Sequence, residues 1–153
     1  MGFLTGKTAI ITGAGRAVLK DGSCGSIGSA YAKEGANLVI TGRNVKKLEA
    51  AKQELESLYG IKVLTVQADV CAGGNNEATV ANVVKQAVDT FGGIQVLINN
   101  AQASASGVPL TEHTTEQFDL AIYSGLYAAF YYMKACYPYL AESHGSVINF
   151  ASG

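Results

Sequence analysis

TAIITGAGRAVLKDGSCGSIG, Thr8 to Gly28, is an apolar run that breaks into glycines and reopens as a helix. Ala9, Ile10 and Ile11 read as a short strand that delivers the backbone to Gly13 and Gly15. Gly25 and Gly28 follow before Ala30, Tyr31 and Ala32 resume a helical pattern. Glycine suits such a loop because a Cβ would hold the backbone away from a pyrophosphate, which the free N–H groups of a helix start bind well. Taken alone, the stretch is compatible with a dinucleotide site and equally with a plain glycine-rich turn.

The rest of the chain alternates strand and helix signals with no linker or repeat. Asn37 to Thr41 (NLVIT) reads as a second strand. Asn44 caps a helix whose Val45, Leu48, Ala51, Leu55 and Leu58 share a face before Gly60 stops it. Lys62 to Gln67 is a third strand. Val80, Val83, Val84, Ala87, Val88 and Phe91 mark the next helix, closed by Gly92, and Gln95 to Asn99 is a fourth strand. After an Ala/Ser/Gly loop, Thr114 and Gln117 form a capping box for a long helix to about Leu140, with Pro138 kinking its end. Phe118, Ile122, Leu126, Phe130 and Met133 make one stripe on it and Tyr123, Tyr127 and Tyr131 another. That predicts burial on two sides, against the sheet and against a second layer or subunit. Ser146 to Ala151 is the fifth strand. Short β-branched strands alternating with helices predict an α/β fold, a doubly wound, Rossmann-like parallel sheet with helices on both faces.

Composition narrows the function classes. The 153 residues are 48% hydrophobic and 15% charged with a net charge of −1, so they describe one core-bearing domain without the basic footprint that nucleic acid or an anionic membrane requires. Three widely spaced cysteines (Cys24, Cys71, Cys136) suggest neither a disulfide framework nor a zinc site, and no stretch reaches the length of a membrane span. The expectation is a cytoplasmic protein acting on small molecules. His113 and His144 stand in separate polar loops and read as solvated.

In such a fold the end of the second strand reads the ribose of the adenosine half: an acid suits NAD, an arginine the 2′-phosphate of NADP. Here that end is Thr41-Gly42-Arg43, so NADP is expected, with Arg16 as a second cation unless both arginines are ordinary surface residues. Asp69 can accept from the adenine amine or serve helix-start chemistry. Asn99, Asn100 and Ala101 close the fourth strand at the carboxyl edge, where they can hold strand ends together or shape the cofactor wall. Ser152, on the same edge, orients a substrate oxygen or is a turn serine.

As a set, TGAGR with GSIG, NLVITGRN, QADV, VLINNA and GSVINFAS closely resemble the short-chain dehydrogenase/reductase family over the whole chain. INNAQASASG and the tyrosine-rich helix look most like a bacterial branch that contains NADP-dependent 12α-hydroxysteroid dehydrogenases acting on bile acids. The resemblance implies reversible hydride transfer between a secondary alcohol and NADP by Ser, Tyr and Lys with help from an Asn, in a protein that forms homo-oligomers at full length. It maps the catalytic serine onto Ser152. The cofactor residues become Gly13, Gly15, Arg16, Gly25, Ile27, Gly28, Arg43, Asp69, Val70, Asn99, Asn100 and Ala101, with no metal.

Four departures from the family pattern stand out. The family's Tyr-x-x-x-Lys belongs about a dozen residues after the serine, and no tyrosine here has a lysine four residues on. Residues 1–153 therefore read as a dinucleotide-binding domain truncated after its fifth strand and inactive alone; the alternative is a non-catalytic dinucleotide-binding or helix-pairing partner protein. The family's Asn falls on Gly125, leaving its task to water or Ser124 or dispensing with it. Gln102 and Gln95 stand where a glycine and an aspartate are usual. The glycine loop carries the extra residues AVLKDGSC, so Arg16 to Cys24 is expected to form an extended loop.

Overall fold

A computed structural model describes residues 2–14, 26–71 and 76–151; Gly15, Arg16, Gly25 and Ser152, with most of the glycine loop, lie outside the described residues. Five parallel strands form one sheet in the order β3-β2-β1-β4-β5: β1 (Thr8–Ile11), β2 (Asn37–Gly42), β3 (Val63–Gln67), β4 (Val96–Asn99) and β5 (Ser146–Asn149). The helices are α1 (Ile27–Lys33), α2 (Val45–Tyr59), α3 (Asn76–Phe91), α4 (Thr115–Ala121) and α5 (Ala128–Ser143). The Rossmann-like expectation holds.

Strand periodicity builds two cores. Ile10, Val39, Val66 and Leu97 face one way, onto α3 and α5. Their neighbours Ala9, Ile11, Leu38, Ile40, Val96 and Ile98 face the other way, onto α1 and α2. Local chemistry sets the helix ends. The Asn44 side chain accepts from Lys47 N–H at 3.0 Å, and Gly60 closes α2 with φ +67°. Thr114 and Gln117 make the expected capping box. Gln95, where the family usually has an aspartate, accepts Thr8 N–H through Oε1 at 2.7 Å and so pins the start of β1.

Two expectations need correction. Val45 and Leu58 lie at the ends of α2 and are exposed, leaving Leu48, Ala51 and Leu55 as its buried face. The long helix is not uniform: a π-helical segment, Ile122–Tyr127, joins α4 to α5. Its buried stripe is Ser124, Ala128, Tyr132, Cys136 and Leu140, whereas Phe118, Leu126, Tyr127 and Phe130 are exposed and Tyr131 is only partly buried. Ser124, Ala128 and Cys136 let the helix lie close on the sheet around the one large buried aromatic of the stripe, Tyr132. β5 is an exposed edge strand, with Val147, Ile148 and nearby Phe150 in the open.

Candidate functional site

Sheet order places a crevice. The chain winds outward from β1 through β2 to β3, then returns to lay β4 on the other side of β1, so the connections leaving β1 and β4 diverge at the carboxyl edge. Thr12 holds these two strand ends together. Its Oγ1 accepts the N–H of Asn100 (3.0 Å) and of Ala101 (2.9 Å), while Asn100 Nδ2 donates to Thr12 O at 3.2 Å. One strand over, Asn99 Nδ2 donates to Asn149 Oδ1 at 2.8 Å and ties β4 to β5. The paired asparagines thus hold strand ends, and Asn100 lines the crevice as well.

A cleft of about 330 Å³ opens over this edge and brings together Gly13, Arg43, Asp69, Val70, Asn100 and Ala101. Its interior is lined by buried Thr41, Leu48, Ala68, Val70 and Tyr132, and its mouth by exposed Arg43, Lys47 and Asp69. Neither Arg43 nor Lys47 has a salt-bridge partner among the described residues, so both cations are available to an anion. Asp69 Oδ1 accepts Cys71 N–H at 3.0 Å, a local turn bond that fixes the carboxylate beside Val70. The Cys71 thiol also lines the cleft; burial and then Asp69 raise its pKa, which keeps it a thiol rather than a nucleophilic thiolate. Ile27 and Gly28 open α1 behind the Ser26 cap, outside the lining of the cleft. Thr12, Lys47 and Tyr132 were not expected from sequence.

A second cleft, about 380 Å³, continues past Asn99, Asn100 and Ala101 toward Gln102, Gly125, Phe150 and Ala151. Ser124 cannot take over a missing asparagine here. Its buried Oγ accepts Ala103 N–H at 2.9 Å and donates within 2.7 Å of Leu120 O, which commits it to fastening the loop onto the π-helical turn. Gln102 is better placed: a Cβ built on Gly125 would lie 3.9 Å from its Cγ and Nε2. The carboxamide therefore comes from the loop and lies against the helix where the side chain is missing. Gly125 has no positive φ and its Cβ would meet only ordinary contacts, so the fold does not require glycine there. Gly125→Ala is expected to raise stability by about 0.5–1 kcal/mol in urea unfolding, the usual gain on removing a helical glycine. A lower urea midpoint would show that the π-helical turn needs the glycine.

With this geometry in place, comparison with known proteins identifies the family. The short chain dehydrogenase family profile matches residues 7–153. The chain belongs to that family. Within it, the chain is 61% identical over its full length to a 12alpha-hydroxysteroid dehydrogenase of Clostridium sp. (strain ATCC 29733 / VPI C48-50), covering 58% of that protein. L-sorbose reductase of Gluconobacter frateurii, solved with NADPH and L-sorbose, superposes with a TM-score of 0.85 at 30% identity over 99% of this chain and 54% of its own. An NAD+-bound xylitol dehydrogenase superposes at 0.81, with 26% identity, 98% of this chain and 54% of its own. The chain thus spans little more than half the length of these proteins. Among the described residues no helix is long and apolar enough to cross a membrane, and no group of three His, Cys, Asp or Glu side chains could hold a metal ion.

Proposed function

We propose that the chain is the cofactor-binding part of an NADP-dependent short-chain oxidoreductase that interconverts a secondary alcohol and a ketone on a steroid or bile acid. The observation that carries the cofactor reading is the pair of cations, Arg43 and Lys47, at the mouth of the cleft with no acid at the end of β2. One structural relative holds NADPH and another NAD+, so the fold leaves this choice to local residues. Gly13, Gly15, Arg16, Gly25, Ile27 and Gly28 would hold the pyrophosphate side, Asp69 and Val70 the adenine, and Asn99, Asn100 and Ala101 the wall toward the nicotinamide. When bound, NADP supplies the hydride acceptor; Ser152 would orient the substrate oxygen.

The steroid reading rests on the 61% identity to the Clostridium enzyme. The exposed apolar stripe of Phe118, Leu126 and Phe130 supports an oligomer of the full-length protein, and the free thiols a cytoplasmic one. Titration with NADPH, followed by nicotinamide fluorescence, tests the cofactor reading, and an assay with cholate and NADP+ tests turnover. The expected result is NADPH binding without turnover by these 153 residues, because no Tyr-x-x-x-Lys is present. Failure to bind NADPH would defeat the cofactor reading, and turnover would show that another group serves as the acid/base.

A further inference from the structure

Tyr132 belongs to none of the motifs, yet among the described residues it is the largest fully buried side chain, with 1% of its surface exposed. It sits in the stripe of α5 that packs on the sheet, among Ala128, Cys136, Val39 and Leu97, where a phenylalanine would fill the same space. The hydroxyl is the anomaly. It is buried without a well-formed hydrogen bond, and the nearby Thr41 side chain only partly offsets the effect of that burial on its ionisation. A buried polar atom left unpaired costs stability, so an unpaired hydroxyl in a native core calls for an explanation. Burial pushes its ionisation up to about 12, so it remains a neutral O–H able both to donate and to accept.

The surroundings indicate what would pair with it. Tyr132 lines the 330 Å³ cleft, together with the apolar side chains of Ala68, Val70, Leu48 and Ala101, against which an uncharged aromatic ring can pack. The cations stand apart at the mouth, on Arg43 and Lys47, so an anionic group is drawn there rather than to a neutral phenol. We propose that Tyr132 is a recognition residue for the adenine of the bound dinucleotide, its hydroxyl pairing with a ring nitrogen or the amine of the base at the floor of the cleft. The inference rests on the cofactor reading above and adds a residue to it. The hydroxyl then trades stability of the free protein for affinity toward the base.

That trade gives the test two readouts of opposite sign. In Tyr132→Phe the free chain should unfold at the same or a higher urea concentration, because the unpaired hydroxyl is gone. Affinity for NADPH and for adenosine 2′,5′-bisphosphate should fall together, by about 5- to 50-fold, the range for one hydrogen bond lost from a buried base. Equal affinity of the two proteins for both ligands would overturn the proposal while leaving the NADP reading intact. A lower unfolding midpoint for the phenylalanine variant would overturn it too, since the hydroxyl would then have a partner within the protein. If the unsubstituted chain binds neither ligand, the cofactor reading fails and this proposal with it.

Discussion

Arg43→Ala is expected to weaken NADPH binding by about 10- to 100-fold while leaving NADH within about threefold, the loss set by one charge-assisted interaction of about 1.5–3 kcal/mol. The asymmetry follows from position. β2 ends at Gly42, and Arg43 is the first residue beyond the sheet, lining the mouth of the cleft. NADPH differs from NADH only by the 2′-phosphate, so a residue reading that group leaves the rest of the molecule untouched. Arg43→Lys keeps the charge but not the planar fork, and should fall between the two.

Lys47 limits how large the loss can be. It lies one helical turn beyond Arg43 and lines the same mouth, so part of the phosphate interaction survives in the single variant and is removed in the Arg43→Ala/Lys47→Ala pair. Both side chains are exposed, which screens them: the NADPH preference should shrink as salt rises from about 0.01 to 1 M, as the Debye length contracts from roughly 30 to 3 Å. Fluorescence titrations of both cofactors at two salt concentrations measure all of this. Equal losses for NADPH and NADH would show that Arg43 acts on the shared part of the molecule, and the specificity reading would fall.

The parts legible in the sequence were those written in local chemistry. Asn44, Gly60, Thr114 and Gln117 act on backbone groups within four residues of themselves, and their roles could be read from spacing alone. The strands were legible because a sheet covered on both faces requires continuous β-branched runs. What escaped depends on distant partners. Thr12 matters because the end of β4 returns to it 88 and 89 residues later, and a single threonine after a strand carries no sign of that. The buried stripe of α5 did leave a signal, the four-residue spacing of Ser124, Ala128, Tyr132, Cys136 and Leu140. It was masked by exposed apolar residues elsewhere on the helix, Phe118, Leu126 and Phe130, which count in a hydrophobic pattern as much as buried ones.

The glycines of the first loop separate when each is asked what a methyl group would meet. At Gly13, φ is +69°, and an added Cβ would lie 2.8 Å from the Ala101 Cα, a backbone atom. Ala101 cannot move freely, because its N–H is held at 2.9 Å by Thr12 Oγ1. Gly13→Ala should therefore cost about 2–5 kcal/mol, combining about 1–2 for the left-handed conformation with about 1–3 for overpacking, and should abolish NADPH binding by displacing Ala101. Against a total stability of about 5–15 kcal/mol that is a large fraction, visible as a lower urea midpoint. Gly28 is the control. Its Cβ would meet Ser26, Leu55 and Leu38 at 3.7–3.9 Å, ordinary contacts at the start of α1, so Gly28→Ala should fold at least as well as the parent. If that variant keeps its stability and loses NADPH, the glycine at 28 serves the ligand. If it keeps both, the pyrophosphate role assigned to Gly28 is wrong, and the cradle depends on Gly13 and the rest of the loop.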